Sequence, residues 1–180
     1  TNQAGSHMLV VNSEGSRAYV ANFWIGTVTV IDLVNQKILK QIRTGRSTEG
    51  ISLSPDELHL YTTSVENNEL VKIDTRTLSV IQKKPIGSSP IRVVALQNSR
   101  ELVINNTGDN SLLVVDANSL EVIRKINVGT QPIGLTAAKD STHVFVANMK
   151  DSSISVVDIR RGEIKENIPV GASPDGIALY

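Results

Sequence analysis

Four aspartates, Asp32, Asp74, Asp116 and Asp158, recur every 42 residues and are the first candidates for chemistry in this chain. Carboxylates act as acids and bases, or hold a cation, when two or three converge. Each of these instead precedes a turn-forming stretch such as Thr75-Arg76-Thr77 or Ala117-Asn118-Ser119. There an aspartate accepts hydrogen bonds from the following backbone amides in an Asx-type turn. A group present once per repeat serves the repeat, so these residues are read as structural. His59 and His143 share one repeat position two copies apart, with Arg17 and Glu101 at the equivalent points. Residues so related lie far from each other, and no metal site is expected of them. Nucleophilic hydrolysis needs a base beside the serine, and no histidine is expected on the ligand-facing side. The glycines do not form a phosphate loop, because no Gly-x-x-x-x-Gly-Lys is present. Asn105-Asn106-Thr107 matches a glycosylation sequon at the end of a strand and is read as a chance match.

The spacing itself carries more information than the carboxylates. Gly45, Gly87, Gly129 and Gly171 keep the same 42-residue interval. So do Tyr19-Val20-Ala21-Asn22, Tyr61-Thr62-Thr63-Ser64, Val103-Ile104-Asn105-Asn106 and Phe145-Val146-Ala147-Asn148. Each copy divides into four short β-type runs. The first alternates, as in Ile51-Ser52-Leu53, and the second is too uniformly apolar to have one wet face. The third ends on the aspartate, as in Val28-Thr29-Val30-Ile31-Asp32, and the fourth starts at Ile38, Val80, Val122 or Ile164. β-Branched residues dominate, and turn formers such as Ser54-Pro55-Asp56 separate the runs. A period of about 40–45 residues made of four strands is the signature of a β-propeller blade. The expected fold is all-β, with blades at 9–49, 50–90, 91–132 and 133–174. Residues 175–180 are expected to begin the inner strand of a further blade.

Three elements match a known family: the Tyr19-to-Asn22 run and its equivalents, the Val-x-Val-Ile-Asp pattern at Val28 to Asp32, and a closing Val-Gly-x-x-Pro. The closing element reads Ile86-Gly87-Ser88-Ser89-Pro90, Val128-Gly129-Thr130-Gln131-Pro132 and Val170-Gly171-Ala172-Ser173-Pro174. The first copy departs from it, with Thr48 where proline belongs. Residues 9–180 thus resemble the YVTN β-propeller repeat family of bacterial and archaeal surface and periplasmic proteins. The resemblance implies a secreted, periplasmic or cell-surface location. It fixes no activity, because the family includes binding scaffolds, adhesive proteins and relatives of lactonases and quinoproteins.

Composition bounds the rest. Eighteen basic and eighteen acidic residues cancel, which argues against a nucleic-acid or anionic-membrane footprint. No cysteine is present, so disulfides and cysteine-rich zinc sites are excluded. No transmembrane run or signal peptide is visible. Gly5-Ser6-His7-Met8 has the form of a cleaved affinity-tag scar, so residues 1–8 are set apart from the repeats and His7 with them. Four blades are few for a family that usually has seven, and a propeller protects its edges by closing. A fragment, a two-chain ring and a self-closed four-bladed ring are all open readings, with a homodimer completing a ring expected.

The deviations from the repeat point to a binding site. Loops joining strands two and three share a face with the loops between blades. Three of the former are polar: Glu66-Asn67-Asn68, Gly108-Asp109-Asn110 and Lys150-Asp151-Ser152. The first blade has Phe23-Trp24-Ile25-Gly26 instead, and Trp24 is the sole tryptophan. An aromatic–aliphatic tip among polar ones has the composition of an interaction hot spot; the competing reading folds it back over a blade edge. The interblade loops add Arg46, Glu49, Arg92, Gln131 and Asp175 as partner-binding candidates. The function expected is a non-enzymatic binding or surface scaffold for a protein or glycan partner, without a cofactor. The rivals are a lactonase-like or quinoprotein-like enzyme, in which Glu49 and Asp175 are the plausible acids, and a structural surface-layer module.

Overall fold

A computed structural model describes residues 1 and 3–179. It contains sixteen strands and, among the described residues, no helix. The first blade is β1 (Ser6–Val11), β2 (Arg17–Asn22), β3 (Thr27–Asp32) and β4 (Lys37–Arg43). The second is β5 (Thr48–Leu53), β6 (His59–Ser64), β7 (Glu69–Asp74) and β8 (Ser79–Pro85). The third is β9 (Pro90–Ala95), β10 (Glu101–Asn106), β11 (Ser111–Asp116) and β12 (Val122–Asn127). The fourth is β13 (Pro132–Ala137), β14 (His143–Asn148), β15 (Ser153–Asp158) and β16 (Glu163–Pro169). Each blade is an antiparallel meander in chain order. The chain forms two compact units of two blades each, Thr1–Ile86 and Gly87 onward.

Burial follows position in the blade. The second and third strands are covered on both faces, so Tyr19, Val28, Val30, Leu60, Val71 and Ile73 form the core of the first unit with Ile42 and Ile51. Val103, Leu112, Val114, Leu135, Val144, Val146 and Val157 do the same in the second. Two-sided burial is the reason those runs read as continuously apolar. The fourth strand is exposed: in β4 only Ile42 is buried. Each turn holds one residue in the left-handed region at the same repeat position, Gly26, Asn68, Asn110 and Ser152 in one series and Gln36, Leu78, Leu120 and Gly162 in another.

The repeated glycine has a steric cause. A Cβ on Gly45 would lie 2.4 Å from Ser64 Oγ, one on Gly87 2.1 Å from Asn106 Oδ1, and one on Gly129 2.4 Å from Asn148 Cγ. Each of these glycines is therefore pressed against the last residue of a second strand within its own unit. Those end residues, Asn22, Ser64, Asn106 and Asn148, are all fully buried. Asn22 donates to Thr27 O and Thr29 Oγ1 and accepts from Ser6 Oγ. Asn148 donates to Ser153 Oγ and Ser155 Oγ. At Asn106 neither amide atom has a hydrogen-bond partner among the described residues. Leu113 stands where Thr29 and Ser155 supply hydroxyls, and Pro90 stands where Ser6 donates.

The aspartates behave as the spacing predicts. Asp74 Oδ1 accepts from the amides of Arg76 and Thr77, Asp116 Oδ1 from Asn118 and Ser119, and Asp158 Oδ1 from Arg160 and Arg161. The Thr77 amide leads the effects that hold Asp74 at a pKa of about 2.

Two boundaries differ from the sequence reading. The inner strands start one to three residues early. Ser6, Thr48, Pro90 and Pro132 all pair with the end of the second strand across a bulge, so β1 begins inside the stretch set apart as a tag scar. Gly5 shares the left-handed conformation of its equivalents Ser47, Ser89 and Gln131. The further inner strand is not formed at 175–179, and Tyr180 lies outside the described residues. The segment does reach the neighbouring inner strand, since a Cβ on Gly134 would meet Asp175 O at 1.9 Å.

Two outcomes follow for stability. Asn148→Ala should cost about 1–3 kcal/mol, because it removes two side-chain hydrogen bonds, one of them to the buried Ser155 hydroxyl, whereas Asn106→Ala should stay within about 1 kcal/mol of the parent. Denaturant melts of the two variants check the contrast. Asp74→Ala should lower the melting temperature at neutral pH. A carboxylate whose folded pKa is depressed stabilises above its unfolded pKa of 3.8, and that contribution is lost as pH falls towards about 2. The difference between parent and variant should therefore close between those values, which melts across an acid series would show.

Candidate partner-binding site

The loops joining second to third strands lie directly beside the interblade loops, as their shared face requires. Gly26 O accepts from the amides of Thr44 and Gly45, while Val65 N donates to Ser47 O, Thr107 N to Ser89 O and Met149 N to Gln131 O. In the first unit these loops enclose a cleft of about 640 Å³. Its walls carry Trp24, Ile25, Arg43, Arg46, Glu66 and Lys83.

The cleft is held by its backbone. Gly26 is obligatory in the turn, since a Cβ there would lie 2.2 Å from Gly45 O and its φ is +72°. Thr48, the residue in place of proline, donates from Oγ1 to Gly45 O and shares a hydroxyl contact with Thr44. Arg46 is fixed at both ends of its peptide: its N–H donates to Asn67 Oδ1 and its carbonyl accepts from Ser64 Oγ. Its guanidinium stays exposed, 3.9 Å from Glu66. Lys83 Nζ donates to Thr44 O. The tip stands out from this frame. Trp24 is 75% and Ile25 49% exposed. Phe23 braces the indole edge-on with ring centroids 4.9 Å apart. One edge of the indole lies against Gly5, where a Cβ would meet Trp24 Cδ1 at 2.2 Å, and the rest of the ring is open.

The remaining candidates lie elsewhere. Glu49 is buried and faces His7, Oε1 to Nδ1 at 2.8 Å. Arg92 and Asp175 pair at 3.7 Å in the second unit. Gln131 serves its loop through the backbone, donating to Asn110 Oδ1 and accepting from Met149. The sequon is closed, because Asn105 is fully buried and its amide is spent on Pro132 O, Ile133 O and the Arg92 N–H. His143 is bound to Asp140 and Thr142, and burial lowers the pKa of His59. Among the described residues no three metal-ligating side chains converge.

Arg43, Lys83 and His7 were missed by the sequence reading. The first two sit on outer strands that alternate with no fixed pattern. His7 was discarded with the apparent scar, although it occupies the same repeat position as Glu49, Ile91, Ile133 and Asp175. With Phe23 and Trp24 it lines a second, apolar recess of about 260 Å³.

Residues 3–105, more than half of the chain, match the model of the cytochrome D1 heme domain. The chain belongs to that family. The matched span includes Gly5 to Met8. No curated protein matches the chain in sequence. Among solved structures, hydrazine synthase of Kuenenia stuttgartiensis aligns over 93% of this chain and 50% of its own, with TM-score 0.86 and 20% identity. The Cps50 (Swd1) β-propeller domain of Myceliophteria thermophila aligns over 99% and 60%, with TM-score 0.84 and 12% identity. Dihydro-heme d1 dehydrogenase NirN, solved in complex with DHE, aligns over 95% and 38%, with TM-score 0.80 and 19% identity. These likenesses establish the β-propeller fold, and the chain spans 38–60% of the length of those structures.

An exposed tip makes few intramolecular contacts. Trp24→Ala should therefore cost less than about 1.5 kcal/mol of stability, against about 3–5 kcal/mol for emptying a buried aromatic site. Denaturant melts measure the cost, and the sole tryptophan should show water-like, red-shifted fluorescence that iodide quenches readily.

Proposed function

We propose that this chain is a non-enzymatic binding module that engages a protein or glycan partner through the loop face of its first unit, with Trp24 as the anchor. The observation that carries this is an exposed indole and Ile25 on a turn whose backbone is fixed from both neighbouring loops. Pre-ordering of that kind lowers the entropy lost on binding. A secreted, periplasmic or cell-surface location accompanies the proposal, by resemblance to the YVTN family. The test is a parallel screen of a glycan array and a displayed peptide library with the parent and Trp24→Ala. Ligands lost in the variant that shift Trp24 emission to the blue are expected; a screen without any Trp24-dependent ligand overturns the proposal.

The enzymatic rival draws little from the geometry. Glu49 is paired with His7 and Asp175 with Arg92, so neither carboxylate stands beside a candidate nucleophile. Lactone hydrolysis should match background with or without calcium, magnesium or zinc, and turnover abolished by Glu49→Gln would promote the enzyme.

A second reading, heme binding, is favoured by His7. A carboxylate on one imidazole nitrogen orients the ring and leaves the other for a metal, and Glu49 holds Nδ1 in this way beside an apolar, aromatic wall. His7 would hold the heme iron through its free ring nitrogen, and Phe23 and Trp24 would supply the apolar wall of the recess. When bound, the heme would supply ligand-exchange and electron-transfer chemistry. Titration with hemin decides: a saturable Soret shift that disappears in His7→Ala supports this reading, and no shift removes it.

A further inference from the structure

Resting on the first of those readings, we infer that the cleft beside Trp24 recognises an acidic polypeptide segment: an apolar side chain sits against Trp24 and Ile25 while flanking carboxylates meet Arg43, Arg46 and Lys83. The chain is neutral overall, with eighteen charges of each sign, yet this cleft gathers three cations against the single carboxylate of Glu66. Glu66 does not neutralise them. It accepts a 2.5 Å hydrogen bond from Ser47 Oγ and stands 3.9 Å from Arg46. Arg43 is exposed at the end of β4, where its backbone pairs with Thr27, and its guanidinium has no hydrogen-bond or ion-pair partner among the described residues. Lys83 spends one donor on Thr44 O and keeps two.

Two planar guanidinium groups lining one cleft favour carboxylates, which such groups bind bidentately. The apolar half of the site decides between acidic partners. A flat sugar needs an aromatic face alone, whereas a branched Ile25 next to Trp24 offers a pocket shaped for an aliphatic or aromatic side chain. Tryptophan and arginine are also the residues that dominate protein–protein hot spots. Complementary charge around such an anchor fixes register and speeds encounter. The site therefore reads as a short linear acidic motif with one apolar residue.

The experiment is selection from a random dodecapeptide library displayed on phage, followed by fluorescence titration of the selected synthetic peptides. Enrichment of Asp and Glu around one apolar residue is expected. Binding should weaken about tenfold or more in Arg43→Glu/Arg46→Glu, and again when salt is raised. Circular dichroism and melts confirm that the variant is folded. Trp24-dependent peptides without acidic residues, or Trp24-dependent glycans, overturn the acidic-segment inference and leave the binding-module proposal standing. Absence of any Trp24-dependent ligand overturns both.

Discussion

The structure depends on a contact, made within each unit, between a glycine loop and the end of a second strand. Gly45 against Ser64, Gly87 against Asn106 and Gly129 against Asn148 leave no room for a Cβ. The approach sets how two blades lie within a unit, and it forces a polar residue into a dry position. Asn22 and Asn148 find hydrogen bonds there through hydroxyls on the third strand, and Asn106, where Leu113 replaces the hydroxyl, does not. The loop that makes the contact also carries Arg46, so blade packing and the floor of the candidate site are consequences of the same steric limit.

Much of the fold was legible because propeller blades are locally specified. The period, the doubly buried second strand and the Asx aspartates each follow from chemistry within one repeat. What was not legible depended on pairing across a bulge. Ser6 takes the place of Pro90 and Pro132, and no alternation in Gly5-Ser6-His7-Met8 distinguishes a strand from a cloning remnant. The segment at 175–179 shows the opposite failure. Its sequence is that of an inner strand, but a strand exists only where a ladder partner is present, and local pattern does not report the partner.

The candidate site was half legible for a related reason. Trp24 and Ile25 were found because they break a pattern that three other blades keep. Arg43 and Lys83 break none, since the outer strands are exposed and tolerate any polar residue. They become visible only when two neighbouring strands of different blades present their ends to one cleft. Glu49 was read as a candidate acid because it lies at a loop mouth. The structure buries it against His7, and that pairing turns a residue discarded as extraneous into the most chemically defined group on this face.

The left-handed residue that closes each second-to-third turn separates two jobs that loops commonly mix. Gly26, Asn68, Asn110 and Ser152 turn the chain at one constant repeat position, while the side chains before them differ from blade to blade. Phe23-Trp24-Ile25 and Val65-Glu66-Asn67 then hang on the same scaffold with unrelated chemistry. Such an arrangement works like a keyboard: each blade offers one key, its mounting is constant, and its face can be rewritten without retuning the instrument. Specificity in a molecule of this kind is composed blade by blade, and a new partner calls for a new tip rather than a new fold.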